Sequence, residues 1–287
     1  MKPSAFVHHE PHTVEEALLT LSEVGEHEGR ILAGGQTLIA AMALRLARPT
    51  HLVDINHIPA LNVVQVLGEQ LCIGATVRHS AFHQNVVEGP LGLILTSVVK
   101  HIAHLPIRMR GTFCGSLANA DPASEWCLVA TTLGAELIIQ SIRGERRVKA
   151  QDFFLGYLTT ALAADEMLVA AQLPMPQPHT HYGFDEYSMR AGDFAKAMAL
   201  VSYELKDGVM THVKIGVGAV EGAARRIGQA EAALESQSPT PDKFVQAAEL
   251  AAQNIDANEA TDDDNLYKRD LVRTVVVRAL EKSIIRS

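Results

Sequence analysis

The sequence predicts an α+β protein in three parts: a small α/β domain over residues 1–57, an α+β domain with an antiparallel sheet over 58–176, and a C-terminal domain over 177–287 built from a three-stranded antiparallel sheet and helices. Three observations predict it. Residues 30–55 read as strand, turn, helix and strand, a compact βαβ unit. Beyond Pro59 the strand-like segments come in hairpins, the mark of antiparallel pairing. Pro174-Met-Pro-Gln-Pro178 then interrupts the chain, and after it come strands followed only by helical patterns.

Each element has its own signal. Thr13 is the expected N-cap of an amphipathic helix reaching about Val24. Arg30–Ala33 is a short buried strand, Gly34-Gly35 a turn, and a helix from about Thr37 to Ala47 stops before Pro49. His51–Ile55 is the next strand. Asn62–Leu67 and Gln70–Gly74 pair around Gly68-Glu69. Helices over Ser80–Val86 and Leu91–Ile102 lead into Arg110–Glu125, a turn-rich stretch in which Asp121-Pro122 supplies the cap and first-turn proline of the helical run Trp126–Leu133. Glu136–Ser141 and Arg146–Lys149 pair around Gly144, and Met167–Leu173 is a further strand. Tyr182–Ser188, Ala197–Leu205 and Val209–Val220 are the last strands, with Asp207-Gly208 as a tight hairpin. A helix over Ala223–Glu235 follows. Thr240 and Pro241 open a second that runs to Gln253, and the acidic Asp256–Asn265 is a solvated loop. The third, Leu266–Ile285, carries an apolar stripe through Leu271, Val275, Val276 and Leu280.

Composition narrows the function classes. Hydrophobic residues make up 47% and charged residues 20% of the 287, as in ordinary globular proteins. A net charge of −8, with no basic stripe, speaks against nucleic-acid binding. No apolar run reaches the length of a membrane span, and MKPSAFVHHEPHT has no apolar signal-peptide core, so a cytoplasmic protein is expected. Cys72, Cys114 and Cys127 form no CxxC; buried free thiols are expected, with no zinc or iron–sulfur cluster bound by this chain alone. Among the 13 histidines, His8/His9/His12, His101/His104 and His179/His181 lack carboxylate or Cys partners at ligand spacing. His104, beside Leu105-Pro106, reads as a structural histidine.

Two stretches carry chemistry. Leu32–Ile39 is LAGGQTLI, and residues 110–125 are RGTFCGSLANADPASE. Small residues with free amides before a helix start suit an anion: the N–H groups point at it and the helix terminus adds partial positive charge. Two such turns suggest a ligand with more than one phosphate. There is no G-x-S-x-G, H-E-x-x-H or Walker A sequence. Gly216-Val-Gly218-Ala-Val-Glu-Gly222 misses the dinucleotide fingerprint by one position and falls in a strand, so it is not read as a nucleotide site. Asp121 and Glu125 read as caps or acceptors, since nothing local raises either to the proton affinity that acid–base work needs. Such a chain holds a cofactor that performs the chemistry, or senses a ligand.

These residues resemble a family. LAGGQTLIAAMALRLARPTHLVDI is similar to the first flavin-binding segment of the medium subunits of molybdenum hydroxylases, a group that includes the carbon monoxide dehydrogenase medium chain and the FAD domain of xanthine dehydrogenase. IAHLPIRMRGTFCGSLANADPASEW resembles the second segment and MRAGDFAKAMALVSYEL a third, in the same order, and the likeness covers essentially the whole chain. The resemblance implies FAD held between the first two domains. By position, Leu32, Ala33, Gly34, Gly35, Gln36, Thr37 and Leu38 would wrap the pyrophosphate from one side. Thr112, Gly115, Ser116 and Asn119 would approach from the other, flanked by Ile102 and Ala103. Ser124 and Glu125 fall at further polar contacts, Leu168 against the cofactor, and Phe194 near the isoalloxazine ring, where the family often has Tyr.

Three positions depart from the family. Cys114 replaces the first glycine of its Thr-Ile-Gly-Gly turn: a need for φ > 0 would strain it, and a need for close approach would shift the backbone. Met109 replaces a frequent Asn, and Phe194 the common Tyr.

The role implied is an electron exit. A large molybdopterin-binding subunit would hydroxylate the substrate, and two [2Fe–2S] clusters on a small subunit would pass electrons to FAD. A terminal acceptor would collect them, in a heterohexameric assembly. The residues also accommodate a free-standing flavin oxidoreductase, marked by turnover of the isolated chain, and a non-catalytic nucleotide-binding module, marked by a colourless purified chain.

Overall fold

The computed structural model describes residues 2–256 and 261–285 of the chain. It opens with β1 (Val7–His9), α1 (Val14–Val24), β2 (Gly29–Leu32), α2 (Leu38–Ala43) and β3 (His51–Asp54). Thr13 caps α1, its Oγ1 accepting from the Glu16 amide at 3.1 Å, and the helix buries Ala17, Leu18, Leu21 and Val24 at helical spacing. β2 and β3 pair in parallel, so the βαβ unit is present. The exposed three-residue strand β1, which carries no alternation to read, joins on the far side to give the order β1-β3-β2. α2 stops short of the expected Ala47. Arg45 turns to φ 59, and the Leu46 and Ala47 amides both fold back to the Ala41 carbonyl.

Next come β4 (Val64–Leu67), β5 (Gln70–Gly74), α3 (Pro90–Val98), α4 (Leu105–Arg108), α5 (Phe113–Asn119), α6 (Glu125–Leu133), β6 (Glu136–Ser141), β7 (Gly144–Lys149), α7 (Ala150–Phe153), β8 (Phe154–Gly156), β9 (Thr159–Thr160) and β10 (Met167–Pro174). The expected hairpins assemble into one antiparallel sheet, β4-β5-β10-β6-β7, with β10 at its centre. Four expectations are corrected. The helix over Ser80–Val86 is a 3₁₀ turn over His79–His83. The helix from Leu91 ends at Val98, short of the turn where Ala103 takes φ 40. Arg110–Glu125 is not turn throughout, because α5 lies inside it. Asp121-Pro122 does not cap α6. Ser124 precedes that helix, while Asp121 closes a turn by accepting from the Ala123 amide at 2.9 Å. Every residue of α6 is buried, as a helix held between two sheets requires. Its Trp126 ring packs at a tilt against Phe82 and Phe113, with centroids 5.0 and 4.8 Å away.

The last part holds β11 (Thr180–Ser188), β12 (Ala195–Lys206), β13 (Val209–Gly218), β14 (Arg225–Arg226), α8 (Gly228–Leu234), α9 (Pro241–Gln253) and α10 (Asp262–Ile285). The sheet is four-stranded rather than three-stranded, because Arg226 pairs with Gly216. The same pairing delays α8 from the expected Ala223 to Gly228. The expected acidic loop is in part helix: Asp262, Asp263 and Asp264 form the first turn of α10, where negative charge meets the positive end of the helix dipole. The stretch 257–260 of that expectation lies outside the described residues.

Alternation along β12 divides its side chains between two cores. Met198 and Leu200 face the middle region, while Ala197, Ala199, Val201 and Tyr203 pack with Phe244, Val275 and Val276 of α9 and α10. Gly216 sits where β13 meets α6: a Cβ there would lie 1.8 Å from Thr132 Oγ1. The near-fingerprint around Gly216 therefore marks close packing against a helix, in agreement with its exclusion as a nucleotide site. No helix among the described residues is long and apolar enough to cross a membrane.

Candidate cofactor site

The two small-residue stretches meet. Gly34 packs against the backbone before α5, so that a Cβ on it would lie 2.6 Å from both the Arg110 carbonyl oxygen and Gly111 Cα. Gly35 takes φ 70, a left-handed conformation that glycine adopts without strain. Side chains clamp the junction. Asn56 Nδ2 donates to the Ala33 carbonyl at 2.8 Å, and Asn56 Oδ1 accepts from Arg78 Nη2 at 2.6 Å. Arg78 Nη1 then donates to the Arg110 carbonyl. Asp54 Oδ1 fixes Asn56 from below, accepting from its backbone amide at 3.0 Å. Neither Asn56 nor Arg78 is visible as a site residue in the sequence, since they stand 22 positions apart and meet only when β3 and the segment after β5 are in place.

The two sides of the junction differ. In the first loop Leu32, Ala33, Gly34, Gly35, Gln36 and Leu38 are half-buried and Thr37 is exposed. Among the described residues the amides of Gly34, Gly35, Gln36 and Thr37 donate to no protein acceptor. A run of undirected N–H groups is the arrangement that an anion-binding concavity requires. On the other side Thr112 is buried as the N-cap of α5, its Oγ1 accepting from the Gly115 amide at 3.0 Å. The Phe113 amide donates to Val77 and the His79 amide to Gly111. Cys114 is helical and is not among the positive-φ residues. Its thiol is buried and points into the core, toward the Ile73 carbonyl at 3.5 Å. It is therefore neither strained nor wedged against the loop. All three cysteines are free; Cys114 and Cys127 are buried as expected, whereas Cys72 is only half-buried.

The other expected site residues lie on separate elements. Ser116 and Asn119 lie on α5, and Ser124 and Glu125 open α6, the two helices joined by Cys127 Sγ donating to the Ser116 carbonyl at 3.5 Å. Ile102 and Ala103 are held by Arg108 Nη1, which donates to both carbonyls at 2.7 and 2.8 Å. Gly192, in the loop between β11 and β12, packs on the His104 ring, bringing that loop beside them. Phe194, in the same loop, is 73% exposed and stands away from the core. Leu168 is at the opposite extreme, buried at an irregularity of β10.

Electrostatics adds two features. His79 Nδ1 accepts from Trp126 Nε1 at 2.9 Å, and its ring lies under Gly111. Burial, with the Arg78 and Arg108 charges, pushes this histidine down to about 4, which keeps it neutral. Glu125 corrects the sequence reading: burial at the start of α6, with Asp121 nearby, pushes it up to about 7. Glu125 lies on α6, which packs between the middle sheet and the sheet beyond Pro178, an arrangement that no local pattern reveals. No group of three His, Cys, Asp or Glu side chains among the described residues can hold a metal ion.

Comparison with known proteins gives this geometry its context. Residues 4–176 match the family described as FAD binding domain in molybdopterin dehydrogenase, and residues 182–283 match the CO dehydrogenase flavoprotein C-terminal domain. The chain is 31% identical to the nicotine 6-hydroxylase medium subunit of Paenarthrobacter nicotinovorans, with 100% of both chains covered. Among solved structures it superimposes on a carbon monoxide dehydrogenase chain from Hydrogenophaga pseudoflava with a TM-score of 0.93 at 31% identity, covering 100% of this chain and 99% of the other. It superimposes on a chain of quinoline 2-oxidoreductase from Pseudomonas putida 86 with a TM-score of 0.91 at 33% identity, covering 99% and 98%. The chain belongs to the family of FAD-binding medium subunits of the molybdenum hydroxylases.

Proposed function

We propose that this chain is the electron exit of a multi-subunit molybdenum hydroxylase, carrying FAD between iron–sulfur clusters on a partner chain and an external acceptor. The observation that carries the reading is the clamped pair of turns, with the amides of Gly34, Gly35, Gln36 and Thr37 open on one side and α5 on the other. Leu32 to Leu38 hold the diphosphate through those amides; Thr112, Gly115, Ser116 and Asn119 bound it from the side of α5. Ile102, Ala103, Ser124 and Glu125 extend the contact, and Leu168 and Phe194 complete it at the buried and exposed ends. FAD bound here supplies reversible uptake of one or two electrons at its isoalloxazine ring.

The chain's own residues bind, orient and shield. Asn56 and Arg78 fix the separation of the turns, and neutral His79 supports Gly111 without adding charge. The division of labour follows from what the chain holds. Its three cysteines, Cys72, Cys114 and Cys127, form no CxxC or cluster-type spacing, which supports clusters held by another chain. The clusters then belong to a small subunit and the molybdopterin to a large one, in a cytoplasmic heterohexamer divided on this chain into units at 1–57, 58–176 and 177–287. Relatives with this architecture are named for nicotine, carbon monoxide and quinoline, which supports a substrate pocket on another polypeptide.

A visible absorption spectrum of the native assembly, with subunit masses from the same sample, tests the proposal. Flavin and iron–sulfur bands alongside a large and a small partner are expected. A colourless single chain that takes up no added FAD would overturn it.

A further inference from the structure

The turn between α3 and α4 is held in a conformation that its own residues do not favour. Ala103 takes φ 40, in the left-handed region, which a residue with a Cβ keeps only when its surroundings hold it there. Arg108 does the holding. Its Nη1 donates to the carbonyls of both Ile102 and Ala103, at 2.7 and 2.8 Å, while its Nε donates to His83 Nε2 at 3.1 Å. Two successive carbonyls are thus drawn to one nitrogen of a group that stays charged at every working pH.

In a trans peptide the N–H points opposite to the C=O of the same plane. The amides of Ala103 and His104 share planes with those two carbonyls, so both point away from the guanidinium. Neither donates to a protein acceptor among the described residues. The chain is satisfied on either side of them: the Ile102 amide donates to Val99, and the Ile107 and Arg108 amides both donate to the His104 carbonyl. Gly192 lets the loop that carries Phe194 close on the same place, since a Cβ on it would lie 2.3 Å from His104 Cε1. An open pair of donors therefore lies at the edge of that loop.

We propose that Arg108 is a positioning residue for the redox end of the cofactor: by holding both carbonyls it aims the Ala103 and His104 amides at acceptor oxygens of the isoalloxazine ring. The inference rests on the reading of this chain as a carrier of FAD, with Ala103 among its contacts and the Phe194 loop at the ring. The Gly34–Thr37 amides serve the diphosphate, which leaves the ring as the acceptor for this second set. Donors aimed at the ring oxygens stabilise the reduced, electron-rich form more than the oxidised one. Arg108 acts through the two peptides and not by contact.

Amide NMR of the isotopically labelled chain, FAD-free, FAD-loaded and FAD-loaded after dithionite reduction, reads the pair directly. The Ala103 and His104 amides are expected to exchange fast without FAD and to be protected with it. On reduction they should shift more than the amides of Gly34–Thr37. The midpoint potential of the bound flavin, taken against reference dyes, reads the consequence. Arg108→Met should weaken binding of reduced FAD about tenfold more than that of oxidised FAD, which lowers the potential by about 30 mV for a two-electron couple. Arg108→Lys, a charged donor, should recover most of that shift. A merely structural role for Arg108 would weaken both forms equally and leave the potential unchanged, which would overturn the proposal. So would Ala103 and His104 amides that stay unprotected in a wild-type chain with FAD bound, a result that does not depend on whether Arg108→Met folds. A wild-type chain that shows no flavin bands after incubation with FAD overturns the cofactor reading, and this inference with it.

Discussion

The two glycine-bearing stretches look alike in sequence and are built on different physics. In Leu32–Leu38 the glycines are required: Gly34 by contact with the Arg110–Gly111 backbone, Gly35 by its positive φ, and the loop amides are left open. In the second stretch the backbone is helical from Phe113, its first amides are largely satisfied by Val77 and Thr112, and Cys114 turns its side chain into the core. One turn offers its backbone to a ligand, while the other is a scaffold against which the first is pressed. Glycine content alone does not tell the two apart; the direction of each Cβ does.

The comparison can be broken most severely at Gly34. Gly34→Ala forces the two stretches apart against backbone that cannot move independently, an overpacking cost of about 1–3 kcal/mol, so FAD affinity should fall about 10- to 100-fold in equilibrium titration. Unchanged affinity would show that the turns need not touch. Arg78→Ala comes next. It leaves Asn56 Oδ1 and the Arg110 carbonyl without their donor, a loss of about 1–2 kcal/mol that should weaken FAD binding about tenfold. Thermal melts of the FAD-free protein should move less than the affinity does.

Cys114→Gly sharpens the contrast from the other side. Glycine at this position of α5 should cost about 0.3 kcal/mol of stability from helix propensity, besides the loss of the buried thiol, with FAD affinity changed less than about twofold. A large gain in affinity would mean that Cys114 does obstruct the site.

A pH dependence of stability is expected as well. His79 is held neutral, pushed from 6.5 down to about 4 by burial. As pH falls from 6.5 to 4, the unfolded chain binds a proton that the folded chain refuses, so this histidine's contribution is present above 6.5 and is lost toward 4. Denaturant melts across that range should show the slope, and His79→Gln should reduce it.

How much was legible follows from the range of each signal. Strands that form short apolar runs, such as β10 and β12, or an alternation, such as β5, read correctly from a few adjacent residues. So did the α1 cap at Thr13. α5 escaped because Gly115, Ser116 and Asn119 are poor helix formers, and their helix is held by the Thr112 cap and by packing against α6. α4, a four-residue helix, was too short to show a period. The fourth strand, β14, exists only through its pairing with Gly216. The Asn56–Arg78 clamp and the burial of Glu125 depend on contacts across distant segments, and no local pattern encodes them. The two turns were legible as a pair because both rely on small residues, but their unequal roles were not.

The most direct test of the account is hydrogen exchange at the amides of Gly34, Gly35, Gln36 and Thr37, measured by NMR in the FAD-free and FAD-loaded chain. The account predicts fast exchange at all four without FAD and strong protection with it, while the amides of Phe113 and Gly115, already bonded within the protein, change little. Protection confined to the α5 side, with the Gly34–Thr37 amides still exchanging freely in a chain that has bound FAD, would contradict it.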